Sequence, residues 1–213
     1  MFSQAKKVLI ISAHADDMEI GCGGTVQKLL KEGKDVYQLI LSLNMKGASD
    51  KFSEDQIRAE VYASAKVLGL PQENIFFERF ENRVFPEHRQ EILDTLWVYH
   101  RKLNPDVVFT MALDDMHQDH VTVAVESFRA FKECTLLSYG YDWNRLNKTA
   151  DFYNVLSEEE LTKKITAVQC YQSQQDGRAY FSPEYIRSWA IARGVEIKER
   201  YAEAFNIIRF IVR

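Results

Sequence analysis

The stretch Val8-Leu9-Ile10-Ile11-Ser12-Ala13-His14-Ala15-Asp16-Asp17-Met18-Glu19-Ile20-Gly21-Cys22-Gly23-Gly24-Thr25 decides how this chain folds. Its first five residues form a short, β-branched apolar run, the pattern of a strand buried on both faces of a parallel sheet. The run stops at His14. Beyond the glycines, Val26, Leu29 and Leu30 recur at helical spacing, and Gly33 suits the left-handed residue that closes a helix. The unit predicted is strand, loop, helix, with the His and Asp cluster in the loop.

The same alternation runs outward. Residues 36–43 read as a second strand, followed by a loop rich in Asn44, Lys46, Gly47 and Ser49 and a helix with Ile57, Val61, Ala65 and Leu68 on one face. Ile75–Phe77 reads as a third strand, and Ile92, Leu96, Tyr99 and Leu103 mark a helix that Pro105 ends. Val107–Met111 follows as a fourth strand. The last third offers a strand at 136–139, a helix carrying Leu161, Ile165 and Val168, a helix at 185–193 and a final strand at 206–212. Strands and helices alternating in this way predict an α/β fold, Rossmann-like, with a mostly parallel sheet and helices on both faces. In such sheets ligands bind outside the carboxyl ends of the strands, where His14 and His117 fall. With 213 residues, one domain spanning 1–213 is expected.

Composition narrows the function. The apolar fraction of 46% and charged fraction of 27% are those of a globular protein. Net charge is −4 and the basic residues are scattered, so a nucleic-acid partner is not expected. The apolar run near the N-terminus is too short for a signal or membrane span, and no integral membrane segment is expected. Cys22, Cys134 and Cys170 form no CxxC pair, which fits a reducing, cytoplasmic setting rather than a disulfide framework.

Two constellations carry chemistry. In the first, imidazole and carboxylate from His14 and Asp17 suit zinc or iron(II) better than magnesium. The second is Asp114-Asp115-Met116-His117-Gln118-Asp119-His120, opening a helix on which His120, Ala124, Ser127 and Phe131 share a face. If the two parent strands are neighbours, His120 completes a two-His, one-carboxylate set that leaves positions open for water and substrate. Either motif alone would read as a capped turn. A dinucleotide site is disfavoured: after Gly21 and Gly23 the third glycine should stand at Val26, and Asn44 replaces the acidic residue expected after strand two. No Gly-x-Ser-x-Gly elbow is present, and Cys22 reads as a small packing residue. His88 and His100 read as surface residues.

These residues resemble the LmbE-like deacetylases, the superfamily of N-acetylglucosaminyl-phosphatidylinositol de-N-acetylase. The first family motif, Ala-His-Pro-Asp-Asp followed by Glu and paired glycines, appears from His14 to Gly24 with Ala15 in place of proline. The second appears as Pro105-Asp106-Val107-Val108 and His117-Gln118-Asp119-His120. Weaker echoes are Arg58-Ala59-Glu60 through Leu68-Gly69, Tyr171-Gln172-Ser173-Gln174 and Ala202-Glu203-Ala204-Phe205.

The resemblance implies a hydrolase that removes an acetyl group from an N-acetylated amino sugar, free or on a nucleotide or lipid. A deacylase of a non-sugar amide and a non-catalytic metal- or sugar-binding member are the alternatives. His14, Asp17 and His120 would hold the metal, zinc as the usual ion and iron(II) as the alternative. Asp16 would be the general base, and His117, protonated or polarised by Asp119, would stabilise the oxyanion and help the amine leave. Arg58, Arg178 and Tyr180 are candidates for substrate oxygens, and Tyr141, Trp143 and Asn144 for stacking on a sugar face or for a subunit contact in a homo-oligomer.

Overall fold

A computed structural model describes residues 4–43 and 52–212, so the expected loop at Asn44, Lys46, Gly47 and Ser49 lies outside the described residues. The elements run β1 (Lys7–His14), α1 (Asp17–Lys31), β2 (Asp35–Ser42), α2 (Glu54–Leu68), β3 (Ile75–Phe77), α3 (Arg89–Leu103), β4 (Val107–Met111), α4 (Gln118–Ala130) and β5 (Thr135–Tyr139). They continue with β6 (Phe152–Val155), α5 (Glu158–Val168), the single turn α6 (Gln172–Gln175), α7 (Pro183–Val195) and β7 (Ala202–Arg209).

The sheet has the order β3-β2-β1-β4-β5-β7-β6. β1 pairs in parallel with β2 and with β4, and β4 with β5, whereas β7 runs antiparallel to both β5 and β6. The chain winds outward from β1 in one direction and from β4 in the other, so their shared carboxyl end is the topological switch point at which α/β sheets open a ligand crevice. Every residue of β1 beyond Lys7 is buried, as are all five of β4. α1, α2, α5 and α7 pack with one another on one side, and α3 with α4 on the other. The fold is therefore the expected α/β architecture.

Two expectations are corrected. The final strand lies at Ala202–Arg209 rather than at 206–212, and its outer neighbour β6 was not expected, since Phe152–Val155 is only half-buried and lacks clean alternation. The glycine-bearing part of the first motif is helix, not loop: α1 opens at Asp17 directly after Asp16. Glycines stand inside it because neighbouring chain comes too close for a side chain. A Cβ on Gly21 would fall 2.2 Å from the Tyr139 ring, and one on Gly24 would fall 2.6 Å from Leu156.

α1 is kinked at Cys22, where φ is −145°. The turn after the kink is capped by the Glu203 carboxylate on β7, which accepts from the Gly24 and Thr25 amides and is paired with buried Lys164 at 2.6 Å. Among the described residues no helix is long and apolar enough to cross a membrane.

Candidate metal centre and its pocket

Local structure aims the first motif. β1 carries the chain to His14, the Ala15 amide donates to the Ser42 carbonyl of β2, and Asp16 then turns the chain with φ of +92°. That left-handed conformation is uncommon for a residue with a side chain and marks a place where the surroundings hold the backbone. α4 begins after a longer loop from β4, with His117 in an extended conformation as its N-cap.

The two loops meet. His14 Nδ1 lies 3.3 Å from His120 Nε2, and these nitrogens lie 3.7 and 3.6 Å from the two Asp17 carboxylate oxygens. Ligands on a tetrahedral zinc with Zn–N bonds near 2.05 Å would be about 3.3 Å apart, which the nitrogen–nitrogen distance matches and the two nitrogen–carboxylate distances, to different Asp17 oxygens, slightly exceed.

The hydrogen bonds give a second test of fit. His14 Nε2 lies 2.9 Å from Asp119 Oδ2, and His120 Nδ1 lies 3.0 Å from Asp115 Oδ2. With each ring's proton committed to its carboxylate, two lone pairs face each other across 3.3 Å, an arrangement that a shared proton or a bound cation relieves. Burial by itself would lower the His120 pKa, yet the Asp17 carboxylate and then Asp115 hold it above the ordinary value. The field at that nitrogen favours positive charge.

Around this centre the proposed roles separate. Asp16 lines the pocket, and its carboxylate makes no hydrogen bond to any described residue. Its pKa is raised well above the usual carboxylate range, by burial first and by Asp17 next, with Arg178 opposing.

His117 also lines the pocket. Burial, then the His120 and His14 rings, push its pKa down to about 4, so the ring is neutral near pH 7. Its Nδ1 accepts from the Asp119 amide at 3.2 Å, which puts the proton on Nε2.

One assignment is corrected here. Asp119 does not sit behind His117, from whose Nδ1 its carboxylate is 4.0 Å away; it sits behind His14. It also accepts from the Arg83 amide at 2.6 Å and the Phe85 amide at 3.2 Å; against burial, the His14 contact first and then these amides hold its pKa low.

The cavity over this centre has a volume of about 260 Å³. Tyr141, Trp143 and Asn144 form one wall, Asn82 and Arg83 a second, and Arg178 with Tyr180 a third. Tyr141 uses its hydroxyl on Asp17 Oδ1 at 2.7 Å, and both faces of the Trp143 ring are covered. Tyr141 stacks on one face at 4.8 Å and Tyr180 on the other at 4.6 Å. Neither Tyr141 nor Trp143 offers a free face to a sugar, which corrects the stacking expectation.

Arg58 is not brought to the pocket. Its guanidinium pairs with Glu54 at 2.9 Å and lies 4.4 Å over the Phe77 ring. His88 is partly exposed, with Nδ1 3.3 Å from a Glu91 carboxylate oxygen, whereas His100 is half-buried rather than on the surface, with a buried Nδ1 that has no hydrogen-bond partner among the described residues.

Sequence reasoning missed Asn82, Arg83 and the bracing role of Asp115. Asp115 carried one usable signal, a carboxylate five positions before a candidate ligand His. Asn82 and Arg83 carried none, because they follow β3 in an aperiodic polar run.

The weaker echoes of the sequence are tied to the first motif and to one another. Tyr171 and Ser64 donate to buried Glu19 at 2.8 and 2.9 Å, and the Ser173 amide donates to Glu60 at 2.9 Å. Glu203 caps the kink of α1.

Known proteins resemble this chain over nearly its whole length. Diacetylchitobiose deacetylase of Thermococcus kodakarensis is 28% identical over 240 residues, covering 99% of this chain and 85% of that one. Among solved structures, N,N'-diacetylchitobiose deacetylase of Pyrococcus horikoshii superposes with a TM-score of 0.81 at 22% identity, covering 97% of this chain and 85% of that one. GalB, the 4-carboxy-2-hydroxymuconate hydratase of Pseudomonas putida, superposes with a TM-score of 0.77 at 20% identity and 98% coverage of both chains. The fold is thus shared with a hydratase as well as with deacetylases. The profile of the PIG-L family, described as GlcNAc-PI de-N-acetylase, matches residues 9–131, more than half of the chain and the part that holds both motifs, and the chain belongs to that family.

Proposed function

We propose that this protein, acting as one domain, hydrolyses the acetamide of an N-acetylated amino sugar to acetate and the free amine. The observation that carries the reading is the convergence of His14, Asp17 and His120 at the switch point, with the unengaged carboxylate of Asp16 beside them in the pocket. His14 Nδ1, His120 Nε2 and the Asp17 carboxylate would hold a divalent cation, zinc first and iron(II) as the alternative. When bound, such an ion polarises the amide carbonyl and eases deprotonation of the attacking water.

The chain's own residues do the rest. Asp16, a stronger base than an ordinary carboxylate because of its burial beside Asp17, takes the proton from the water. The neutral His117 donates from Nε2 to the oxygen on which charge develops as the carbonyl carbon becomes tetrahedral. The carbon–nitrogen bond then breaks, the carbonyl re-forms, and the proton held by Asp16 passes to the departing nitrogen. Asp119 and Asp115 fix the tautomers of His14 and His120, so each ring presents a lone pair to the centre.

Acetate release from diacetylchitobiose and N-acetylglucosamine derivatives, compared with acyl-amino acids on zinc-loaded protein, tests the reading. Turnover of the sugars is expected, with Asp16→Asn slower by about 10²–10⁴-fold. Preference for acyl-amino acids would move the assignment to a non-sugar amide. Equal inertness of wild type and Asp16→Asn toward every amide, with metal bound to both, would leave a binding protein on the same fold.

A further inference from the structure

Among the pocket residues that neither motif accounts for is Arg83. Its φ is +74°, a left-handed conformation that residues with a Cβ avoid and that glycine or asparagine would take more easily. The strain is held in place from the catalytic motif itself. The Arg83 amide donates to Asp119 Oδ2 at 2.6 Å, and its carbonyl accepts from the Gln118 side chain. The carboxylate that orients His14 therefore also orients Arg83, and the arginine lines the pocket next to Asn82.

The charges around it do not balance. Arg58, Arg79, Arg145 and Arg193 each rest on a carboxylate, whereas the Arg83 guanidinium makes no hydrogen bond or ion pair with any described residue. Arg178 lines another wall of the same cavity, its guanidinium fixed by the carbonyl and side-chain oxygens of Gln174 at 3.0 and 2.9 Å. The acidic residues lining the cavity are Asp16 and Asp17, the first assigned as base and the second as ligand, so no lining carboxylate is left to neutralise Arg83. A guanidinium on a fixed backbone, open to a cavity and uncompensated, is suited to two-point capture of a planar or tetrahedral oxyanion.

We infer that Arg83 is a specificity residue and that the substrate is an N-acetylated amino sugar bearing an oxyanion, phosphate or carboxylate, beyond the acetamide. This rests on the deacetylase reading for the reaction but not for the binding, and the two fail separately.

The experiment compares three substrates on zinc-loaded protein: N-acetylglucosamine 1-phosphate, a carboxymethyl glycoside of N-acetylglucosamine, and the neutral methyl glycoside. In wild type, kcat/KM for at least one anionic substrate exceeds that of the methyl glycoside about tenfold or more, the discrimination expected of one hydrogen-bonded charge. The anion preferred identifies the source of the charge. Arg83→Gln brings the ratio close to one, and Arg83→Lys keeps part of it. The ratio is read within each protein, so a general loss of activity cancels.

Calorimetric titration with glucosamine 1-phosphate and with methyl glucosaminide supplies a readout independent of turnover. If no amide is hydrolysed but the phosphate binds more tightly to wild type than to Arg83→Gln, the inference stands without the reaction. Equal kcat/KM for charged and neutral sugars in wild type, a ratio unmoved by Arg83→Gln, or phosphate binding indifferent to Arg83 would overturn it.

Discussion

The floor and the rim of the pocket are built on different principles. On the floor, His14, Asp17 and His120 come from the ends of two adjacent parallel strands, and each is held from behind: His14 by Asp119, His120 by Asp115, Asp17 by Tyr141 and the His14 amide. The rim is assembled from three segments far apart in the chain, around Asn82, Trp143 and Arg178, and Trp143 and Arg83 are exposed. The floor can impose a reaction because its geometry is braced at every member. The rim can change with little cost to that bracing, which leaves it free to set which molecule is admitted.

The contrast breaks most sharply at a ligand. His120→Ala should lose stoichiometric zinc, measured by metal analysis after dialysis, and turnover should fall by more than the ~10⁴-fold upper range of a single acid–base group. Retained metal with full activity would remove the floor from the mechanism.

One layer back, Asp119→Asn and Asp115→Asn should each weaken zinc binding by about 10–100-fold in a competition titration, the range seen for partners that orient metal-bound histidines. Asp119→Asn should do more, because it also releases Arg83 and Phe85. Unchanged zinc affinity in both would mean that the histidines are oriented by packing alone.

Smallest is Arg58→Gln. The side chain stays with Glu54 and Phe77, outside the cavity, so kcat/KM should stay within about twofold and stability within ~0.5 kcal/mol in thermal melts. A tenfold rise in KM would show that the rim extends to α2.

How far the sequence could be read follows the same division. The floor was legible because its members lie in two short motifs, and because a β-branched run ending in His-x-Asp-Asp places ligand side chains where a parallel sheet opens. Within the first motif the boundary was misplaced. Gly21, Cys22, Gly23 and Gly24 look like loop residues by propensity, yet they lie in α1, where Tyr139 leaves no room for a side chain at Gly21 and Leu156 none at Gly24. The strands of the parallel part were found close to their true limits. β6 was not, because a half-buried edge strand has no period to detect.

By itself the sequence determined the α/β winding and the order of elements, because burial of strand faces and helix stripes is written in hydrophobic period. It also determined which residue types stand at the switch point. Only the tertiary structure decided who holds whom. Asp119 lies next to His117 in the motif but serves His14, because an N-cap residue and the side chain two positions later point in different directions from the helix start. The same holds for Arg83. Nothing local distinguishes it from other polar loop residues, and its place in the pocket follows from a backbone bond to a carboxylate 36 positions away in the chain.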